Sequence, residues 1–278
     1  MNMDIYEALF LAREKRLDYF KGKVDAMITY GRIEVYSFKD LFENLCVIPG
    51  INKRIAKIKH LLSHDFNINC TFSDRKNALF LKTDKETTSY LLYKGIDINH
   101  LNSKWQNALF ECTEKDDIPK IKLLIDKGID LYKEDRDRQN LLFIDCDYEV
   151  LQLYLSLGLD PNHEDYYGNT PVFYFEEEDS LNLLIDSKAN IHHRNKRGQT
   201  AILYILETDY WSAKYYFDKG FNLSIKDNEG RNIVDYIRKL PEGDLKYEYL
   251  RKVSMLEKNK IITRLNIHEE EAKPKKRI

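Results

Sequence analysis

The chain has 278 residues, 43% of them hydrophobic and 32% charged, and its formal net charge is −2 at pH 7. So balanced a charge supplies no global field to draw nucleic acid or an anionic membrane. Eleven glycines and six prolines are also too few for a loop-rich chain, which leaves a mostly helical protein with a real core.

In chain order, the first segment, MNMDIYEALFLAREKRLDYF, is interrupted by Asp4, Glu7, Arg13, Glu14 and Lys15, which argues against a signal peptide or a membrane span. Ile5, Leu9, Leu11, Leu17 and Phe20 recur at helical spacing. A second helix is predicted over Ser37–Cys46, with Ser37 as its N-cap and Pro49-Gly50 as its stop. Residues 1–50 thus read as a helical N-terminal cap.

Beyond residue 50 the chain repeats. Asn77-Ala78-Leu79-Phe80 returns as Asn107-Ala108-Leu109-Phe110. Looser copies begin at Asn140, Thr170, Thr200 and Asn232, giving intervals of 30, 33, 30, 30 and 32 residues. A second phrase runs in phase: Leu91-Leu92-Tyr93-Lys94-Gly95-Ile96-Asp97, Leu124-Ile125-Asp126-Lys127-Gly128-Ile129-Asp130, and degenerate forms ending at Asp160, Asn190 and Asn222. Each repeat reads as one supersecondary unit whose apolar face is covered by its neighbours.

Together the phrases resemble the ankyrin repeat, most closely at Asp165-Tyr166-Tyr167-Gly168-Asn169-Thr170-Pro171-Val172-Phe173 and at Asn195-Lys196-Arg197-Gly198-Gln199-Thr200-Ala201. The resemblance covers roughly residues 51–240 and implies an all-α solenoid of helix-turn-helix units joined by short hairpin fingers. Thr170 and Thr200 are expected to cap first helices, with Pro171 at the first helical position. The glycine after each Leu-Leu pair should end the second helix in a left-handed turn.

The departures from the family pattern carry expectations too. Phe80, Phe110, Phe143 and Phe173 stand where the family has His, and predict a buried apolar column. The 30-residue intervals predict a trimmed turn between the two helices. Arg75, Trp105 and Arg138 replace the finger glycine, so those fingers must accept positive φ or change their turn.

After the Pro241-Glu242-Gly243 break, Asp244–Lys260 reads as a charged helix, within a C-terminal helical segment over residues 241–265. Residues 266–278 are too polar to fold and read as a solvated tail. Glu176-Glu177-Glu178-Asp179 reads as acidic charge before a helix start, and His192-His193 as finger residues.

Cys46, Cys70, Cys112 and Cys146 form no C-x-x-C pair and no His cluster accompanies them. They read as free, buried thiols in a reducing, cytoplasmic setting, with no metal site and no cofactor. The motifs of nucleotide, hydrolase and zinc-protease sites are absent, so no catalytic residues are expected.

The ankyrin resemblance implies a non-catalytic module that binds a protein through the concave face. Nucleic acid, membrane and small-molecule substrates are not expected as partners, and the unbound chain is expected to be a monomer. Degenerate repeats rich in Lys, Tyr, Ile and Asn suggest a bacterial or viral source and an inhibitor or immunity partner of a toxin. The alternatives are an effector or adaptor engaging a host protein, and an enzyme with its site in the N-terminal helical region. Aromatic and Arg side chains dominate interface energetics. The predicted contacts are therefore Trp105, Tyr132, Arg136, Tyr166, Tyr167, His193, Arg194 and Lys196 on the fingers, with Tyr210 and Trp211 at an inter-helix turn.

Overall fold

The structure, a computed structural model, describes residues 17–29, 41–46, 51–64, 66–217 and 219–271. Every regular element among them is helical, and the chain divides into two compact units, Met1–Leu159 and Asp160–Ile278.

The first unit opens with α1 (Leu17–Thr29), a helical stretch at residues 41–46, and α2 (Ile51–Leu62). The expected caps at Ser37 and Pro49-Gly50 lie outside the described residues. Phe20, Val24, Leu41, Phe42, Leu45, Ile58 and Leu61 are buried, so these helices share a core. Three repeats come next, whose second helices are α3 (Lys85–Tyr93), α4 (Ile118–Asp126) and α5 (Tyr148–Ser156). The second unit holds α6 (Glu178–Asp186), α7 (Ala201–Thr208), α8 (Lys214–Phe217), α9 (Ile233–Arg238) and α10 (Asp244–Glu271). The backbone of α10 stays helical through residues 266–271, a stretch whose composition suggests an unfolded tail.

The repeat differs from expectation in its first helix. Rather than two helices with a trimmed turn between them, four repeats contract the first helix to a single 3-10 turn, at Ala78–Phe80, Ala108–Glu111, Leu141–Phe143 and Pro171–Phe173. Room is the reason. After Asn77 the chain must already present Asp84, whose carboxylate accepts from the Thr87 amide at 2.8 Å and caps α3. A 3-10 bond closes one residue sooner than an α bond and so fits the shorter run. Among the described residues only α7, at eight residues, is a full first helix of ordinary length.

The caps also depart from expectation. Thr170 and Thr200 make no side-chain cap, and their buried hydroxyls have no hydrogen-bond partner. Asparagines do the capping instead. Asn77, Asn107 and Asn140 accept from the amides of Leu79, Leu109 and Leu142 at 3.1, 3.1 and 2.9 Å. Asn232 caps α9 reciprocally with Asp235. The longer amide does two jobs: Asn77 and Asn107 also donate Nδ2 to the Asp97 and Asp130 carbonyls, just past the ends of α3 and α4. Pro171 sits at the first helical position as expected, and Pro119 lies in the first turn of α4.

Second helices end as the repeat phrase predicts. The Gly95 amide bonds to Leu92 O and the Ile96 amide to Leu91 O, and Gly128-Ile129 and Gly158-Leu159 repeat the pattern. This is the Schellman stop, with a glycine at positive φ (84°, 87° and 88°) followed by a buried apolar residue. Lys188 occupies the equivalent place after α6 at φ 74°. A left-handed non-glycine residue costs about 1–2 kcal/mol, partly offset by the extra freedom glycine has when unfolded. Lys188→Gly is therefore expected to stabilise the chain by about 0.5–1 kcal/mol in urea unfolding, and a destabilised variant would contradict this account of the turn.

Phe80, Phe110, Phe143 and Phe173 are buried, as the column reading requires. A second device within the stack has no counterpart in the sequence expectations. Tyr154 stands where its neighbours have the first Leu of the Leu-Leu pair, and its hydroxyl donates to Leu109 O and Cys112 O of the preceding repeat at 3.3 and 3.4 Å. Tyr216 does the same in the second unit, to Val172 O and Phe175 O at 3.1 and 2.5 Å. Each phenol thus reaches carbonyls at and just beyond the end of a single 3-10 turn, including Leu109 O, which also accepts from the Cys112 amide at 3.0 Å.

Candidate functional site

The fingers are built from one five-residue turn used five times. Asn102, Asp135, Asp165, Asn195 and Asp227 each accept, on Oδ1, from the amides two and four residues on. The backbone closes the same loop, as where the Asp165 amide meets Asn169 O and the Gly168 amide meets Asp165 O. The fourth residue is left-handed in all five: Trp105, Arg138, Gly168, Gly198 and Gly230, at φ 66°, 61°, 74°, 73° and 80°. Trp105 and Arg138 thus accept positive φ in an unchanged turn. The first finger changes its turn: Phe72 replaces the Asx residue, and Asp74 and Arg75 are both left-handed.

Neighbouring fingers are joined by backbone. In the first unit Ser103 N donates to Asp74 O at 2.7 Å and Arg136 N to Lys104 O at 3.0 Å. In the second unit Lys196 N donates to Tyr167 O and Asn228 N to Arg197 O, both at 3.0 Å. The tips are therefore set in place before anything docks on them.

Of the predicted contact residues, Trp105, Tyr132, Tyr166, Tyr167 and Trp211 are each more than half exposed. Trp105 and Arg136 come together, with the guanidinium 5.6 Å from the indole centroid. Tyr166 and Tyr167 meet edge to face at 5.4 Å, and Lys196 lies 4.7 Å over the Tyr166 ring. These are two amphipathic tip clusters, one in each unit. Tyr210 and Trp211 form a separate tilted pair at 5.1 Å. They lie beyond the far end of α7, whose eight residues span about 12 Å.

Two predicted contacts serve the fold instead. His193 directs Nε2 to Gly168 O at 2.8 Å and packs edge-on against Phe173 at 6.1 Å. His100 repeats this on Arg75 O and Phe80. Where the family pattern has a helix histidine, this chain has Phe and brings a finger histidine against it. Arg194 spends its fork on backbone, Nε to Gly198 O at 3.0 Å and NH2 to Lys226 O at 2.8 Å.

Beneath the fingers of the second unit lies a polar ladder absent from the sequence expectations. Tyr174 donates to Asp165 Oδ2 at 2.6 Å and accepts from Asn169. Asn195 then links Asn169 to Gln199, and Gln199 reaches Glu207 at 2.7 Å and Tyr236 at 2.9 Å. Tyr236 and Arg231 close on Asp227 Oδ2 at 2.6 and 2.7 Å. The one legible signal is a shared spacing: Tyr174 and Tyr236 each lie nine residues after their aspartate. Burial raises the Asp227 carboxyl, but the Tyr236 hydroxyl and the Arg231 bonds outweigh it and bring it down to about 2. Burial, with the Asp227 hydrogen bond behind it, pushes Tyr236 up to about 12. The ladder therefore stays ionised at Asp227 and neutral at Tyr236 near pH 7, and holds shape rather than moving protons.

Two of the four free thiols, Cys46 and Cys112, are buried, whereas Cys70 and Cys146 are partly exposed rather than buried as expected. Burial pushes Cys112 up to about 11 and Cys146 up to about 12, which leaves both as poor nucleophiles near pH 7. A surface cavity of about 400 Å3 beside the first fingers contains no imidazole or thiol. Two of its acids are paired with its lysines, Glu111 with Lys76 at 2.7 Å and Glu114 with Lys82. The acidic run behaves as helix-start charge: Glu178 and Asp179 lie in the first turn of α6, and Glu178 pairs with Lys219 at 2.8 Å. No helix among the described residues is long and apolar enough to cross a membrane.

No protein-family model matches the chain. An ankyrin repeat protein of Acanthamoeba polyphaga mimivirus is 30% identical to it over 171 residues, 54% of this chain. The chain spans about a fifth of that relative's length (21%). The crystal structure of the human ASB11 ankyrin repeat domain superposes with a TM-score of 0.54 at 16% identity, covering 72% of this chain and 93% of that domain.

Proposed function

Because the chain is an ankyrin-repeat protein, we propose that it is a non-catalytic module that binds a protein partner along its finger tips. One observation carries this reading: exposed aromatic and cationic side chains are gathered on tips whose backbone is already hydrogen-bonded from finger to finger. Docking on such a surface freezes few rotors, and Tyr, Trp and Arg give the most contact energy per residue. The proposed contact set is Trp105, Tyr132 and Arg136 in the first unit and Tyr166, Tyr167 and Lys196 in the second. Tyr210 and Trp211 are left as a separate patch.

Within that class the finer reading is an inhibitor or immunity partner of a toxin, with an effector or adaptor engaging a host protein as the alternative. Co-purification from the native cell separates them by what is recovered. The enzyme alternative rests on residues 1–50, most of which lie outside the described residues.

The partner recovered this way is then bound to two double variants, W105A/R136A and Y166A/Y167A. Truncating the cluster that is used is expected to weaken binding by about 2 kcal/mol or more, roughly thirtyfold, with helical content and melting temperature unchanged. Wild-type affinity in both variants would remove the finger-tip reading.

A further inference from the structure

Three electron-pair donors converge where α1 packs on α2. Asp25 places Oδ1 2.9 Å from His60 Nε2 and 3.0 Å from His64 Nε2. All three ligand atoms lie within 4.8 Å of one another. His60 and His64 are four residues apart in His60-Leu61-Leu62-Ser63-His64, so one helical turn brings both rings to the same side. The ring centroids are 4.9 Å apart at 88°, and Phe20 backs His60 edge-on at 6.3 Å.

The environment is what distinguishes this cluster from surface charge. Both Nε2 atoms are buried and neither makes a hydrogen bond, although the carboxylate oxygen is at contact distance. A carboxylate oxygen and two imidazole nitrogens this close are satisfied either by an Nε2–H from each ring or by a cation among them. The first arrangement is not the one formed, since neither Nε2 makes a hydrogen bond to that oxygen. One metal ion satisfies all three lone pairs at once.

We propose that Asp25, His60 and His64 bind a divalent transition-metal ion, zinc in the first instance, which fastens α1 to α2. Two imidazoles and a carboxylate are a zinc donor set. Bonds of ~2.0–2.2 Å in a tetrahedral site put donor atoms ~3.3 Å apart, close to the separations seen. The side chain of Asp25 is half exposed, so an ion can reach the site from solvent. Leu61 follows His60 where the helical zinc-protease motif carries its glutamate base. The proposed role of the ion is therefore to hold two helices together. The i, i+4 histidine pair is visible in the sequence, but Asp25 joins it from 35 residues away.

The test uses the tag-free full-length chain, stripped with a chelator and titrated with Co2+, then challenged with Zn2+. The expected result is one equivalent of Co2+ giving a visible ligand-field band that Zn2+ abolishes, and a melting temperature that rises with either ion. D25N, at a half-exposed side chain, and H60Q and H64Q should each weaken binding by more than about 100-fold, the upper end of what losing an outer partner of a metal ligand costs. H192Q/H193Q should bind as wild type. Absence of the band, or a band that survives in the D25N/H60Q/H64Q triple variant, would overturn the site. So would an apo chain whose stability rises on acidification in a way D25N removes while Co2+ has no effect, since the cluster would then be a protonated ion pair.

Discussion

Asp227→Asn should cost about 2 kcal/mol at pH 7 and only a few tenths at pH 2. The Asp227 side chain is 1% exposed and accepts four hydrogen bonds, from Tyr236 OH, Arg231 Nε and the amides of Glu229 and Arg231. Its carboxyl falls from an ordinary 3.8 to about 2 in the folded chain. A depressed acid contributes stability that is complete above the unfolded value and lost as the pH falls through the folded one. The window therefore runs from about pH 4 down to about pH 2, and the shift corresponds to about 2 kcal/mol.

Asparagine is the informative replacement because Asn102 and Asn195 build the same turn at the equivalent positions. The turn survives, while the charge facing Arg231 and Tyr236 does not. Denaturant unfolding of both proteins at several pH values reads the difference directly. A gap between wild type and variant that does not shrink with acid would refute the assignment.

The second large effect is expected at Gly198. Gly168, Gly198 and Gly230 occupy the same left-handed position of three successive fingers, yet a Cβ would meet different surroundings at each. At Gly230 nothing lies within 4 Å, and at Gly168 the nearest atoms, from Lys196, are at 3.2 Å. At Gly198 a Cβ would sit 2.3 Å from Asn228 Oδ1 and 2.8 Å from Arg194 NH2. Those two side chains bridge the fingers, Asn228 to Lys196 O and Arg194 to Lys226 O.

Gly230→Ala should therefore cost only the left-handed penalty, about 1 kcal/mol. Gly198→Ala should cost about 3 kcal/mol, because it adds the loss of the bridging hydrogen bonds. The order Gly230, Gly168, Gly198 in thermal unfolding is the prediction. Equal costs at all three would mean that backbone strain alone decides, and that the bridge contributes nothing.

Much of this architecture was legible in residue order, for a definite reason. The repeat register, the Schellman stops after α3, α4 and α5, Pro171 at a helix start and the buried Phe column all depend on groups within a few residues of one another, or on apolar residues recurring at a fixed interval. Local hydrogen bonds and periodic burial leave their mark in a linear string. Even Trp105 and Arg138 could be singled out, because a left-handed turn was demanded by their place in the repeat.

Tertiary structure decided the rest. Whether a first helix is α or 3-10 depends on how soon the next cap must appear against the neighbouring repeat. Thr170 and Asn140 stand at the same place in the phrase, yet only the amide caps the turn after it. His193 and Arg194 have the chemistry of free contacts but are drawn onto carbonyls of adjacent fingers. The long-range rungs of the ladder, Asn195 to Asn169 and Gln199 to Tyr236, and the meeting of Asp25 with His60 and His64, join side chains from different elements through atoms 2.9–3.0 Å apart. Such pairings depend on how elements sit against each other across 26 to 39 residues of chain, and no short pattern in the sequence specifies that distance.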